Sequence, residues 1–176
     1  ASAAPDIPFF YYHIPLISGV DLSMRYYLEI AKMRIPNLAG IKYTSDNLDE
    51  MIDCNSIDNG KWNIFNGFDE NLFNVLNIGV YSAVGSTYNY MNHLYLSLIK
   101  DFKAGNMEAA KKKQQKCNDI ILSLSENGGP IVAGKAIMKW FGIDCGPCRL
   151  PLKNLTEESI SKLKEDLKAK GFFELS

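Results

Sequence analysis

Short, nearly continuous apolar runs alternate along the chain with stretches in which apolar residues recur every three or four positions. Pro8 to Ile14 is a run of bulky aromatic and β-branched residues with a proline at each end. It predicts a buried strand, and its lack of in–out alternation suits a parallel sheet covered on both faces. Leu22 to Met33, with Leu22, Tyr26, Leu28, Ile30 and Met33 at helical spacing, predicts a helix. Leu38 to Tyr43 reads as a second strand, and Leu48, Met51 and Ile52 mark a short helix. Trp62 to Phe65 is a third strand. Asp69 to Ile78 is the next helix, with Leu72, Phe73, Leu76 and Asn77 on one stripe. Ser82 to Gly85 is a very short fourth strand before a helical pattern from Tyr88 to Phe102. Beyond it only helices are predicted, over Met107–Leu124, Ile131–Phe141 and Glu157–Ala169. The last has Thr156 as N-cap, acids in its first turn and lysines near its end.

Strand, loop and helix thus repeat four times, which argues for βαβ units and a parallel sheet. The expected organisation is four β/α units over residues 1–105 and a C-terminal helical extension over 106–176. An open four-stranded parallel sheet would leave exposed edges, which proteins avoid. A closed barrel has none, but it takes eight strands and typically about 250 residues. The pattern therefore points to part of a larger barrel.

Composition narrows the function classes. Nineteen Lys and Arg against twenty Asp and Glu leave a formal charge of −1, and 47% of residues are hydrophobic. That balance gives no reason to expect a nucleic acid or an anionic membrane as partner. No apolar run approaches the roughly 20 residues of a membrane span, and the opening residues have no signal-peptide pattern. The expectation is a soluble, cytoplasmic protein. Four cysteines are too few and too scattered for a disulfide framework. Asn154-Leu155-Thr156 spells a glycosylation acceptor, read as chance without a secretory signal. The basic run Lys111 to Lys113 reads as the solvated face of an amphipathic helix.

The candidate chemistry lies where predicted strands end. Tyr-Tyr-His-Ile-Pro (11–15), Gly-Ile-Lys-Tyr-Thr-Ser (40–45), Asn-Gly-Phe-Asp-Glu (66–70) and Gly-Ser-Thr-Tyr-Asn (85–89) would converge on one face of a parallel barrel, the catalytic face of such folds. Lys42 ends an otherwise apolar strand. A lysine taken out of water gives up its proton more readily, and the free amine attacks carbonyls. A structural ion pair is the ordinary alternative. Tyr12 ends the preceding strand, and alternation turns one of Tyr11 and Tyr12 inward. An inward phenol could relay protons or simply pack. His13 faces opposite Tyr12 and is read as structural. Asp69 and Glu70 open a helix, as caps or as acceptors for substrate hydroxyls. Ser86 and Thr87 could present hydroxyls and N–H groups to an anion or a sugar.

Together these motifs, with Gly19, the Lys-Ala-Ile-Met helix (135–138) and Cys-Arg-Leu-Pro-Leu (148–152), resemble the N-acetylneuraminate lyase family in order and spacing. These are class I aldolases of the superfamily that includes dihydrodipicolinate synthase. The resemblance implies the C-terminal part of a (β/α)8 TIM barrel, about strands five to eight, followed by C-terminal helices. It implies sialic acid and pyruvate as small-molecule substrates, a homotetramer, and neither metal nor cofactor, the covalent imine on Lys42 serving instead. By position, Lys42 matches the imine-forming lysine and Tyr12 the tyrosine that assists proton transfer. Thr44, Gly67, Asp69, Glu70 and Ser86 match positions that bind the polyhydroxylated part of the sugar. Dihydrodipicolinate synthases carry a Pro-x-Arg-Thr-Gly pattern after the tyrosine strand. Here Pro15-Leu16-Ile17-Ser18-Gly19 has no arginine to hold a dicarboxylic substrate, which favours the lyase subtype.

The resemblance also implies four earlier β/α units, whose Gly-Ser-Thr-Gly-like loop holds the pyruvate carboxylate. Without that N-terminal barrel half, positioning is lost, and the chain alone is expected to be inactive or nearly so. Two rival readings stand beside this one. One is a half-barrel association module that pairs through its strand edges. The other takes Cys145-Gly-Pro-Cys148 as a thioredoxin-like motif. That motif needs a strand before it and a helix starting at its second cysteine. A predicted helix precedes it, and Arg149-Leu150-Pro151 is a poor helix start.

Overall fold

In the computed structural model, which describes residues 1–174, four parallel strands stand side by side in chain order. They are β1 (Phe9–His13), β2 (Leu38–Tyr43), β3 (Asn63–Asn66) and β4 (Ser82–Ala83). Helices follow them: α1 (Pro15–Ser18) and α2 (Met24–Arg34) after β1, α3 (Leu48–Ser56) after β2, α4 (Leu72–Asn77) after β3 and α5 (Tyr88–Lys103) after β4. The chain continues with α6 (Met107–Glu126), α7 (Gly129–Trp140) and α8 (Glu157–Ala169). Among the described residues no helix is long and apolar enough to cross a membrane.

Pairing sets the two faces of the sheet. Tyr12, Lys42, Phe65 and Ser82 lie on one rung, and His13, Tyr43, Asn66 and Ala83 on the next. Because side chains alternate along a strand, these two rungs point to opposite faces. The register slips once: Phe9 pairs with Leu38 but Phe10 with Gly40, so Ala39 is an extra residue in β2. Gly40 is required there, because a β-carbon would overlap the Asn63 carbonyl of the neighbouring strand.

Two compact units divide the chain, Ala1–Gly85 and Ser86–Ser176. In the first, the rung that carries Tyr43 faces the helices. The core gathers Met24, Leu28 and Ala31 of α2, Met51 and Cys54 of α3, and Ile41, Tyr43 and Ile64 of the sheet. The stripe expected on the first long helix is corrected: Tyr26 and Met33 are 59% and 71% exposed, whereas Met24 and Leu28 are fully buried. Ser23 explains the shift. Its hydroxyl accepts from the Tyr26 N–H, so the helix starts at Met24 and the row from that residue faces inward. On α4 the buried residues are Leu72, Val75 and Leu76, and Asn77 is exposed.

Glu50 joins three elements of this unit. Its carboxylate accepts from the Met24 N–H (2.9 Å), one of the donors left open by the first turn of α2. It also accepts from the Tyr43 hydroxyl (2.9 Å), while its own N–H donates to the capping Asn47 side chain (3.1 Å). The second unit packs α6 against α5, α7 and α8, with Leu98, Cys117, Ile120, Leu124, Ile137 and Leu163 fully buried. Thr156 caps α8 as predicted, accepting from the Ser159 N–H. Cys145 and Cys148 lie in irregular chain after α7, and the next helix begins at Glu157. The helix that a thioredoxin arrangement needs at the second cysteine is not formed.

Candidate active site

The C-terminal ends of the strands are tied together by backbone bonds that continue the ladder one residue past each strand. Thr44 N–H donates to the His13 carbonyl (2.8 Å), Gly67 N–H to Tyr43 (2.8 Å) and Val84 N–H to Asn66 (2.9 Å). The residues that follow the strands are therefore held almost as firmly as the strands themselves.

On the face away from the helices, the Lys42 ammonium nitrogen lies 4.1 Å from the centroid of the Tyr12 ring. Their strands pair at these two residues, so the contact follows directly from register. Tyr12 is 46% exposed and Lys42 half-buried, leaving the pair accessible. The neighbouring Tyr11 points the other way and packs on Tyr27 of α2, ring centroids 4.5 Å apart. His13 is buried on that same side and stacks on Tyr43 at 5.1 Å. Burial pushes its imidazole below the ordinary value, against the opposing pull of Glu50 and Asp21.

Thr44 and Gly67 complete the cluster around Lys42. A β-carbon at Gly67 would overlap Thr44 Oγ1 and stand 2.8 Å from Lys42 Cε. Thr44 Oγ1 is buried without a hydrogen-bond partner among the described residues. A buried hydroxyl left open costs free energy, and such an atom beside an accessible amine is a ready contact for a polar ligand.

Asn66 shapes the loop that follows β3. Fully buried, it donates to the Phe68 carbonyl (2.9 Å) and accepts from the Phe68 N–H (3.1 Å), a local turn closed by its own side chain. This fixes the approach to Asp69 and Glu70. Asp69 is buried with its carboxylate pressed on Gly85, where any β-carbon would overlap it. Glu70 is half-buried. Burial raises its carboxyl above the ordinary range, and the Asp69 charge adds to the rise. The structure thus brings Tyr12, Lys42, Thr44 and Gly67 together and sets Asp69 and Glu70 at the start of the next helical turn. Ser86 opens the second unit, where its carbonyl accepts from the Asn89 side chain (2.9 Å).

Sequence reasoning did not single out Asn66 or Glu50. The Asn-Gly pair at 66–67 was a turn signal for the first. Nothing local marks the second, whose partners lie on other elements.

The model of the dihydrodipicolinate synthetase family matches residues 1–170. The chain belongs to this family. It is 34% identical over 171 residues to the N-acetylneuraminate lyase of Gallus gallus, covering 96% of this chain and 56% of that protein. Among solved structures, the Proteus mirabilis N-acetylneuraminate lyase superposes with a TM-score of 0.92 at 40% identity, covering 98% of this chain and 58% of that one. A catalytic-lysine mutant of the Ruminococcus gnavus sialic acid aldolase matches with a TM-score of 0.85 at 32% identity, covering 97% and 56%. The chain spans about half the length of the curated relatives it matches. The α/β architecture is accordingly that of a partial (β/α)8 barrel, its C-terminal portion with the helices that follow.

Proposed function

We propose that this chain carries the Schiff-base lysine of an aldolase that cleaves N-acetylneuraminate to N-acetylmannosamine and pyruvate. The placement of Lys42 over the Tyr12 ring, 4.1 Å away at the C-terminal edge of the sheet, carries the reading. The amine of Lys42 adds to the keto carbon of the open-chain sugar, and loss of water gives a protonated imine. The bond between the carbon next to the imine and the hydroxyl-bearing carbon beyond it then breaks. Its electron pair moves into the imine to give an enamine, and the hydroxyl proton leaves as the aldehyde forms. Tyr12 is the group placed to carry that proton and to return one to the enamine carbon. Hydrolysis of the resulting imine frees pyruvate and Lys42. No metal or other cofactor takes part in this scheme.

Thr44 and Gly67 border the reacting amine, so the sugar hydroxyls are assigned to them and, further along the chain, to Asp69 and Glu70; Ser86 is assigned to the sugar by resemblance alone. The open Thr44 hydroxyl and the carboxylate pair suit a long polyol. The likeness to the Ruminococcus gnavus sialic acid aldolase, a protein with a catalytic lysine, supports a lysine-centred reaction. The remaining β/α units of the barrel are assigned the pyruvate carboxylate and the opposite wall, so that activity requires them. A cytoplasmic homotetramer is proposed by resemblance, with light scattering as its check.

The test is reductive trapping of the complete barrel with pyruvate and borohydride, read by intact mass and peptide mapping. The expected result is one pyruvyl adduct on Lys42, absent from Lys42→Arg and scarce when this chain is treated alone. A complete, folded barrel with no adduct on Lys42 would overturn the reading. An adduct on Lys42 without turnover of N-acetylneuraminate would move the assignment to another pyruvate-dependent aldolase.

A further inference from the structure

The Cys145-Gly-Pro-Cys148 segment remains outside the proposed aldolase chemistry, and its surroundings are unusual for a surface loop. Lys135, on α7, sends its ammonium into the segment and donates to three successive carbonyls, those of Cys145 (2.9 Å), Gly146 (3.2 Å) and Pro147 (2.9 Å). Oxygens bonded to one nitrogen lie within about 6 Å of each other. In extended chain successive carbonyls point to opposite sides and cannot meet one donor. The segment is therefore curled around Lys135.

Three further contacts hold the curl. Gly146 takes a left-handed conformation, φ 66°, and its N–H donates to the Asp144 side chain (2.8 Å). The Cys148 N–H donates to the Asn154 side chain (2.7 Å). Both cysteines are free thiols, Cys145 exposed and Cys148 half-buried. Both line the same cavity of about 670 Å³, beside Ile131, Arg149 and Leu150. The remaining two cysteines differ sharply: Cys54 and Cys117 are fully buried, and burial pushes the Cys54 thiol up to about 12.

We propose that Cys145 and Cys148 are a redox modification site, a dithiol that closes reversibly to an intramolecular disulfide by exchange with a low-molecular-weight disulfide. Cys145, the more exposed, attacks one sulfur of the incoming disulfide as its thiolate. That S–S bond breaks and the first small thiolate leaves. Cys148 then attacks the Cys145 sulfur, closing the ring and expelling the second small thiolate. The protein loses two electrons, the small disulfide gains them, and the two thiol protons end on the two released thiols. Lys135 is the positioning residue: it keeps the segment curled so that the second attack follows the first. Arg149 at the rim supplies positive charge for a carboxylate-bearing disulfide. This is modification of the protein's own thiols, not reduction of other proteins, for which the helix at Cys148 is lacking.

The test is equilibration of the chain in buffers of stepped oxidised-to-reduced glutathione ratio, followed by an acid quench and alkylation. Intact mass and peptide mapping then give the outcome. The expected product is lower in mass by two hydrogens, with a bond between Cys145 and Cys148 and with Cys54 and Cys117 alkylated only after denaturation. Cys148→Ser should instead accumulate a mixed disulfide on Cys145. Lys135→Met should hold that mixed disulfide several-fold longer before the ring closes. Cys145 and Cys148 that stay alkylatable at every ratio would overturn the proposal. So would mixed disulfides that persist in the unaltered chain to the level seen in Cys148→Ser.

Discussion

Gly67 and Thr44 meet with no room between them: a β-carbon on the glycine would overlap the threonine hydroxyl and crowd the end of the Lys42 side chain. The glycine is thus a spacer that lets two functional groups from a neighbouring strand reach the same point. Gly67→Ala is expected to displace both, at about 1–3 kcal/mol of stability for the overpacking. It should also strongly lower borohydride-trapped imine in the complete barrel. Urea denaturation and trapping on the same sample check the two effects.

Thr44→Val separates binding from stability. The Thr44 hydroxyl is buried without a partner among the described residues, so removing it should leave stability unchanged or raise it by up to about 1 kcal/mol. If the hydroxyl binds sugar, KM for N-acetylneuraminate rises while trapping of pyruvate on Lys42 is unaffected. Steady-state kinetics beside a urea titration reads both.

Glu50→Ala should be among the more damaging substitutions outside the core. It strands the Met24 N–H, now bonded to this carboxylate, and takes one of two acceptors from the Tyr43 hydroxyl, which keeps the Asn47 carbonyl (3.1 Å). A donor left without its partner costs about 1–3 kcal/mol, and a loss in that range is expected, most of it from the Met24 N–H. Glu50→Gln keeps an acceptor for one of them and should recover part of it. Urea midpoints of the three proteins decide.

His13 gives the fold an acid-sensitive limb. Its imidazole is held below the ordinary value of 6.5 by burial. The unfolded chain therefore takes up this proton before the folded one does. The contribution is complete above about pH 6.5 and is lost as pH falls from there toward the folded value. Stability measured from pH 8 to 5 should fall on the acidic side, and His13→Gln should flatten that part of the curve.

Much of the candidate site's geometry was legible because it rests on local rules. The apolar run Leu38–Tyr43 is the strand observed, with Lys42 on it, and simple alternation separates Tyr12 from His13 as the structure does. The sequence misled where one residue changes the frame. Ser23 caps α2 and moves its buried row to Met24, Leu28 and Ala31, away from the apolar but exposed Tyr26 and Met33. It was silent where meaning depends on distant partners. Glu50 reads as an ordinary first-turn acid until Met24 and Tyr43 are seen to converge on it. The crowding of Asp69 on Gly85 likewise exists only once the two loops stand side by side.

The extra residue in β2 decides which residue Lys42 meets. Had the pairing run on unbroken from Phe9 and Leu38, His13 would stand opposite Lys42, and Tyr12 would be matched with Ile41. Ala39 advances the frame by one and delivers the tyrosine instead. Chemistry and folding then share a single alignment. A strand pair that ran in step with Ala39 still in place would swap the phenol for an imidazole beside the amine and turn the tyrosine toward the helices. It would take the phenol from Lys42 without changing any residue of the candidate site.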